Sequence, residues 1–166
     1  MFSLVYTSQA IVPFEEPVLI ELALKSAANN DRLGVTGFVT YDAALQTFFQ
    51  FLEGEKDTIE QLIQIIECDP RHRVLSQCPI LEHERRAAIA RTSRSAVSIP
   101  LADDARMFPT WRMRYVSIGD FRSMEIADLL FGVVSLMKQD CYSDRRALTP
   151  TVELVNLLRL RSYALT

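Results

Sequence analysis

Residues 35–54 of the chain read VTGFVTYDAALQTFFQFLEG. Val35 to Tyr41 is rich in β-branched and aromatic residues, and Thr47 to Leu52 is a second run of this kind, which Glu53-Gly54 closes. Asp42-Ala43-Ala44 lies between the two runs and predicts a turn. The sequence therefore predicts a β-hairpin, from which the rest of the fold can be worked out in both directions.

The first of two predicted helices precedes this hairpin. Pro17 suits its first turn, because the N–H group that proline lacks would have no helical partner there. One face carries residues at helical spacing, and these are Val18, Leu19, Leu22, Ala23 and Ser26. We expect the helix to end near Asn29-Asn30, since asparagine tolerates the left-handed conformation of a helix C-cap.

The second predicted helix follows the hairpin. Asp57 and Glu60 have the spacing of a capping box, with Asp57 as the N-cap and Glu60 as the third helical residue. Apolar residues then recur at helical spacing, namely Ile59, Leu62, Ile63 and Ile66. Asp69-Pro70 is expected to stop this helix.

Three further strands are predicted outside the hairpin. Phe2 to Ser8 alternates, which places Leu4 and Tyr6 on one side, and Arg73 to Ile80 is a second run. Trp111 to Tyr115 alternates large apolar residues with arginines, so Trp111 and Met113 are expected on one side of a half-buried strand. The order β-α-β-β-α-β-β favours an α+β fold, a ferredoxin-like βαββαββ sandwich of one sheet and two helices.

The remainder of the chain is expected to form a helical extension. One helix is predicted after Asp120, and a second begins at Thr149-Pro150 and presents Leu154, Leu157, Leu158 and Leu160. Both are expected to pack on the sheet face that the first two helices leave open. Residues 1–116 would then form one domain, and residues 117–166 a C-terminal extension.

Residues from about 82 to 106 form an atypical insertion in this scheme. They lack a clean period and contain most of the local positive charge, on Arg85, Arg86, Arg91 and Arg94. A surface loop is the default interpretation. A surface that binds a partner or an anion is the alternative.

Composition argues against several classes of protein. The chain has 166 residues, is 49% hydrophobic and has a net charge of −3, which fits one compact domain and argues against a nucleic-acid binder. The apolar stretch Ile126 to Met137 is too short to span a membrane, and the first residues resemble a strand more than a signal peptide. Three widely spaced cysteines indicate reduced thiols in a cytoplasmic protein, and the two histidines form no metal-ligand cluster.

Gln50 is the first candidate functional residue. It lies mid-strand on the side of Phe48 and Leu52, so its amide is expected to be buried and hydrogen-bonded. Turning the amide over, or tautomerising it, reverses the direction of its hydrogen bonds with little change in shape, as a two-state switch requires. A core glutamine bonded to the backbone is the alternative.

Tyr6 is the second candidate. Its hydroxyl group is expected at the interface between the sheet and the helices. A phenol donates or accepts a hydrogen bond, and beside an excited acceptor it can give up an electron and a proton. A half-buried tyrosine with its hydroxyl group at the rim is the alternative.

Four sequence clusters occur in an order that resembles the BLUF family, the blue-light sensors that use a flavin. They are LVYTS (4–8), SAANNDRLGVTG (26–37), FFQFLEGE (48–55), and DPRH (69–72) with FPTWRM (108–113) further on. The resemblance covers residues 2–116 apart from the insertion, which the family usually replaces with a shorter link.

The resemblance implies that FAD is the cofactor, with FMN as the alternative. Tyr6 matches the family's electron-donating tyrosine, and Gln50 matches the glutamine that bridges this tyrosine to the flavin. The other implied flavin contacts are Leu22, Ser26, Asn29, Asn30, Phe48, Ile66, Arg71, His72 and Met113. Many family members have histidine at the position of Asn29, and core packing explains Leu22, Phe48 and Ile66 equally well.

The resemblance also implies a mechanism. Light excites the flavin, Tyr6 transfers an electron and then a proton, and Gln50 changes its orientation or tautomer, which shifts the absorption to the red. Trp111 and Met113 match a pair that rearranges with the glutamine, and strand 111–116 would pass the change to the C-terminal helices. We expect no enzymatic activity, no membrane, a separate signalling partner and a homo-oligomer. A light-indifferent interaction module of the same fold and a flavin-dependent redox enzyme are the alternatives.

Overall fold

The computed structural model describes residues 1–77, 80–82, 106, 108, 110–117, 153, 154, 156, 157 and 160. Its elements in chain order are β1 (Phe2–Ala10), α1 (Glu16–Leu33), β2 (Thr36–Asp42), β3 (Thr47–Gly54), α2 (Lys56–Glu67), β4 (His72–Gln77), β5 (Leu81–Glu82) and β6 (Arg114–Tyr115). This order confirms the predicted α+β, ferredoxin-like arrangement and adds the two-residue strand β5. Glu82, at the start of the predicted insertion, pairs with Phe2 of β1, and the insertion itself stays a prediction.

The strands form one sheet in the order β4-β1-β3-β2-β6, and β5 also pairs with β1. β2 and β6 run parallel, whereas β1 pairs antiparallel with β3 and β4. β1 and β3 therefore lie side by side although they are distant in sequence, and Tyr6 is the direct partner of Gln50. Directly opposed residues project to the same face of a sheet, so these two side chains meet.

Side chains along the strands alternate between two faces of the sheet. The face that packs against α1 and α2, called the helix face below, carries Leu4 and Tyr6 of β1 and Leu52 of β3 in one buried cluster. The opposite face, called the far face, carries Phe38, Phe49 and Phe51, which are buried as well. Both faces of the central strands are therefore shielded from water.

Helix α1 is longer than predicted. It continues through Asn29-Asn30 to Leu33 and ends at Gly34, whose φ of 65° forms the left-handed C-cap. Glycine adopts this conformation without the clash that a Cβ atom causes, so the expectation that the asparagine pair ends the helix is wrong. Val18 was expected on the buried face, but it is 47% exposed, whereas Leu19 is buried.

Helix α2 begins earlier than predicted. Strand β3 extends to Gly54, Glu55 is the N-cap, and no side chain makes a capping hydrogen bond. The capping box with Asp57 as the N-cap is therefore wrong. Asp57 lies instead in the first turn, where its negative charge is favourable beside the helix dipole.

The C-terminal extension is described at a few positions. Glu153, Leu154, Asn156, Leu157 and Leu160 are helical, in agreement with the second predicted C-terminal helix. Leu154 is buried but Leu160 is 67% exposed, so its predicted place on the buried side is wrong. The helix predicted after Asp120 and the basic residues of the insertion lie outside the described residues, and packing of the extension on the far face stays a prediction. Within the described part of the chain, no helix is long and apolar enough to cross a membrane.

Candidate functional site

A cavity of about 220 Å³ lies between α1, α2 and the helix face of the sheet. All of the flavin contacts implied by the sequence line it, namely Tyr6, Leu22, Ser26, Asn29, Asn30, Phe48, Gln50, Ile66, Arg71, His72 and Met113. The fold thus brings together residues that are up to 107 positions apart, from Tyr6 to Met113, around one space.

Tyr6, Gln50 and Met113 form a continuous chain of contacts along the sheet side of this cavity. The Tyr6 hydroxyl group donates a hydrogen bond to Oε1 of Gln50. On the other side of the amide, Nε2 of Gln50 lies 3.5 Å from the Met113 sulfur. A thioether is a weak acceptor, so one end of the Gln50 amide is firmly bonded and the other is weakly bonded.

Burial keeps the Tyr6 phenol protonated. Loss of hydration raises the pKa of Tyr6 far above its ordinary value, and the nearby Asp69 carboxylate raises it further. The hydroxyl group therefore remains a hydrogen-bond donor over the whole physiological pH range. Its O–H group points at Oε1 of Gln50, which accepts the hydrogen bond.

Asp69, Arg71 and His72 border the cavity beyond the end of α2. Asp69 accepts hydrogen bonds of 2.9 Å from the backbone N–H and from Nε of Arg71, and this pairing holds the pKa of Asp69 at about 2. Burial lowers the pKa of His72, although the Asp69 charge opposes this effect. The Nδ1 atom of His72 is buried and meets no hydrogen-bond partner among the described residues.

The two asparagines of α1 differ in environment. Asn30 is buried, and its Nδ2 donates a 3.0 Å hydrogen bond to the backbone carbonyl of Arg112. Asn29 is exposed, and its Oδ1 accepts a hydrogen bond from Arg32. Asn30 therefore connects the cavity to the segment that carries Met113, whereas Asn29 lies at the rim.

Apolar side chains form the walls of the cavity. Leu22 reaches it from α1 and Ile66 from α2, and Phe48 lines it from β3. Phe14, in the loop before α1, packs edge-on against Phe48 with ring centroids 5.2 Å apart. Sequence reasoning missed Phe14 because a loop residue belongs to no periodic pattern.

Asp69 also lines the cavity, although sequence reasoning did not name it as a site residue. The other lining residues not predicted as site residues, besides Phe14, are Ala23, Val39, Leu62 and Ile65. The position of Asp69 two residues before Arg71, in the cluster DPRH (69–72), is the signal that could have found it. The carboxylate is fixed toward Arg71 and acts on both Tyr6 and His72.

Trp111 does not line this cavity. Its ring stacks on Phe108 with centroids 4.8 Å apart and contacts the edge of Phe38, a residue of the far face. Pairing of β6 with β2 begins only at Arg114, so the period of two does not extend back to Trp111. The expectation that Trp111 and Met113 lie on one side of a strand is therefore wrong.

The cavity fits a flat ring with apolar faces and polar edges. Its two helices offer aliphatic side chains, and hydrogen-bonding capacity is left over at Nδ1 of His72 and at Nε2 of Gln50. A buried polar group that lacks a good partner is costly, so a ligand with donors and acceptors along its edge would stabilise both. The isoalloxazine ring of a flavin has this character.

Comparison with known proteins identifies the family. The family model for BLUF, described as sensors of blue-light using FAD, matches residues 1–88, which is more than half of the chain. The chain belongs to the BLUF family. This BLUF chain is accordingly a blue-light sensor that uses a flavin.

Solved structures support the same fold. The dark-state structure of the BLUF protein BlrB is 25% identical, with a TM-score of 0.50 over 80% of this chain and 93% of BlrB. A bacterial light-regulated adenylyl cyclase is 24% identical, with a TM-score of 0.51 over 84% of this chain. This chain spans only 35% of the length of that cyclase. No curated protein sequence matches the chain at a significant level.

Proposed function

We propose that blue light switches the hydrogen bonds of Tyr6, Gln50 and Met113 around a flavin held between α1 and α2. One observation carries this proposal. The Gln50 amide is bonded by a tyrosine at its oxygen and, among the described residues, faces a thioether at its nitrogen, beside a cavity that suits the ring.

The chain's own residues would hold the cofactor from three sides. Leu22 and Ile66 would supply apolar contacts from the two helices, and Gln50 of β3 and Asn30 of α1 would supply hydrogen bonds. FAD is the proposed cofactor, and FMN is the alternative that chemical extraction distinguishes. When bound, the flavin supplies blue-light absorption and, once excited, an electron acceptor.

Tyr6 is the proposed electron and proton donor. Its elevated pKa keeps the resting phenol neutral. Loss of an electron turns a neutral phenol into a strong acid, so the proton would follow the electron. The hydrogen bond to Oε1 of Gln50 provides a route for that proton with no rearrangement of the strands. Tyr6 is buried and Gln50 is half-buried, so bulk water has little access to the hydrogen bond between them.

Gln50 is the proposed switch. The Tyr6 proton would pass to Oε1 of Gln50 and the amide would rotate or tautomerise. Return of the electron and of one proton to Tyr6 would then leave only the exchanged donor and acceptor ends of the amide. The Met113 sulfur holds the nitrogen end weakly, so little is lost when that contact breaks. Two arrangements of similar energy follow, and the hydrogen bonds offered to the cofactor differ between them.

The output is proposed to leave through the segment that follows Met113. Rearrangement of Met113 and Trp111 would act on β6 and then on residues 117–166, taken as a helical extension of the 1–116 sensory domain. We further propose a separate cytoplasmic signalling protein as the receiver, a homo-oligomer as the working state, and no enzymatic activity of the chain itself.

Absorption spectra before and after blue light test this function. The purified protein should be yellow, shift reversibly to longer wavelength on illumination and recover in the dark. Tyr6→Phe should bind flavin and lose the red-shifted state. Tyr41→Phe is the matched control, because Tyr41 is also a buried tyrosine of the helix face but does not line the cavity, and it should retain the photocycle.

Three results would contradict the proposal. A normal photocycle in Tyr6→Phe would remove the assigned role of that residue. A colourless protein that refuses added flavin would favour the light-indifferent interaction module. Steady turnover with NAD(P)H would favour a redox enzyme.

A further inference from the structure

The segment that brings Met113 into the cavity is anchored on the other side of the sheet. Phe108 packs edge-on against Phe38 and Phe51 of the far face, with ring centroids 5.3 Å from each. Trp111 stacks on Phe108 at an interplanar angle of 29°. We call these rings, together with Phe49, the aromatic cluster.

Glu53 is a buried charged side chain beside this cluster. It lies on β3 with its side chain on the far face and is 0% exposed. Its Oε1 atom accepts a 2.8 Å hydrogen bond from the backbone N–H of Phe108. A buried carboxylate is costly unless it is well bonded, and no step of the proposed photochemistry uses it.

Three successive contacts determine the path from Phe108 to Met113. Glu53 fixes the backbone at Phe108, and the Trp111 N–H donates to the Phe108 carbonyl over 3.1 Å, which closes a turn. The Trp111 carbonyl then accepts a 2.7 Å hydrogen bond from the Gly37 N–H of β2. Met113 follows two residues later with its sulfur against Gln50.

We propose that Glu53 is a positioning residue of the light switch. Its hydrogen bond to Phe108 seats Trp111 in the aromatic cluster, and this placement sets the Met113 sulfur against Gln50 in the dark state. The part of this inference that concerns the photocycle rests on the proposed function, whereas the placement of Trp111 does not.

A pair of substitutions at Glu53 separates its hydrogen bond from its volume. Glu53→Met keeps a side chain of similar size but offers Phe108 no good acceptor. Glu53→Gln keeps an acceptor oxygen and should behave like the unchanged protein. Thr40→Val is the matched control, since Thr40 is a buried far-face residue whose hydroxyl group has no partner among the described residues.

Trp111 reports its own position because it is the sole tryptophan of the chain. In flavin-bound Glu53→Met kept in the dark, Trp111 emission should change and its quenching by acrylamide should rise, because the ring leaves the cluster. Loss of the anchor also disfavours the dark arrangement. The red-shifted state should therefore live on the order of tenfold longer, as expected when a buried N–H loses its acceptor.

Phe108→Leu provides a second, independent variant. It retains the backbone N–H that Glu53 binds but removes the stacked ring, so it should reproduce both changes. If Glu53→Met does not fold, Glu53→Asp takes its place, because its shorter side chain withdraws the acceptor from the Phe108 N–H. Phe108→Leu tests only the part that the stacked ring plays. Wild-type emission and recovery time in the folded variants would overturn the proposal, as would equal changes in Thr40→Val.

The two proposals fail in different ways. If the unchanged protein shows no red shift but Trp111 emission responds to Glu53→Met, the photochemistry is wrong and the placement by Glu53 stands. If the photocycle is normal and neither Trp111 emission nor recovery responds, Glu53 has no positioning role.

Discussion

Phe49 and Gln50 are neighbours on β3, yet their side chains belong to different environments. Phe49 projects to the far face, where it is fully buried and its ring centroid lies 5.9 Å from that of Phe38. Gln50 projects to the helix face, where it accepts a hydrogen bond from Tyr6 and lines the cavity. Strand β3 therefore contributes side chains to a closely packed face and to a face that contains the Gln50 amide, a group that can be oriented in two ways.

The difference between the two faces bears on how the proposed Gln50 switch would be held in place. A change in one amide is worth only about 1 kcal/mol, so it is detectable only if the surroundings do not yield by a similar amount. Aromatic packing on the far face fixes the strands, because close-packed rings resist displacement. On the helix face, by contrast, the weakly bonded Nε2 of Gln50 and Nδ1 of His72, which has no partner among the described residues, border an open cavity.

The largest expected effect comes from Gly37, because its close contact with β3 holds together strands that carry both faces of the sheet. A Cβ atom on Gly37 would lie 2.0 Å from the carbonyl oxygen of Phe51, and the φ of 151° is itself unfavourable for other residues. Gly37→Ala should therefore separate β2 from β3 and lower the free energy of unfolding by at least about 3 kcal/mol. Urea titration of both proteins measures this loss.

Gly34→Ala is the control for that prediction. Gly34 also has a positive φ, of 65°, but a Cβ atom there would meet nothing within 4 Å. Its cost should be about 1 kcal/mol, from the left-handed conformation alone. Equal losses in the two variants would show that the approach of Gly37 to Phe51 is not what matters.

The next prediction tests whether packing on the far face can be disturbed without loss of the response to light. Phe49→Ala removes a fully buried ring from the far face and should lower the free energy of unfolding by about 3–5 kcal/mol. The folded fraction should retain the flavin spectrum and a red shift on illumination, because the cavity is on the other side of the strand. Urea titration followed by absorption and by circular dichroism checks both statements. Loss of the red shift in folded Phe49→Ala would break the separation between the faces.

Gln50→Leu should show the opposite pattern. Stability should fall by no more than about 1–2 kcal/mol, since the leucine is apolar but leaves the Tyr6 hydroxyl group without its acceptor. The dark absorption of the bound flavin should shift, and the light-induced red shift should be absent. Gln9→Leu is a suitable control, because Gln9 also bonds through its amide, to the Leu45 carbonyl over 2.9 Å, but lies outside the cavity. A red shift that survives in Gln50→Leu would exclude the amide as the switch.

Local patterns predicted the pairing of strands that are close in sequence. They did not predict which strands pair when these are distant in sequence. The hairpin was predictable because both of its strands and its turn lie within residues 35–54. The pairing of Tyr6 with Gln50 joins strands 44 residues apart, and no local pattern fixes that register. Only the ordered resemblance to a family brought the two residues together in advance.

The failures have physical causes as well. Trp111 has the alternation of a strand residue, but stacking on Phe108 and the late start of β6 outweigh that local preference. The asparagine pair resembles a helix end, but Gly34 is the better left-handed cap four residues later. At Trp111, tertiary contacts outweighed the local preference for a strand. At the end of α1, a stronger local signal, Gly34, outweighed a weaker one.

The smallest expected effect is a pH dependence that originates at the cavity rim. Burial lowers the pKa of His72 below its ordinary value of 6.5, the Arg71 charge contributes to this, and the Asp69 charge opposes it. The folded protein therefore binds a proton at His72 less readily than the unfolded chain does. The contribution of His72 to the free energy of unfolding is therefore complete above pH 6.5. This contribution should be lost as the pH decreases from 6.5 through the lower pKa of the folded state.

His72→Gln should remove this part of the pH dependence. The magnitude should stay below about 1 kcal/mol, because His72 is half-buried and solvent screens its charge. The difference in unfolding free energy between the two proteins, measured in urea at pH 7.5 and at pH 5.5, isolates the effect from other titrating groups. Added flavin should enlarge it if the cofactor bonds to the neutral imidazole, since bonding to that form favours it further. A difference that is independent of pH would show that His72 is not desolvated, and the rim would then resemble ordinary protein surface.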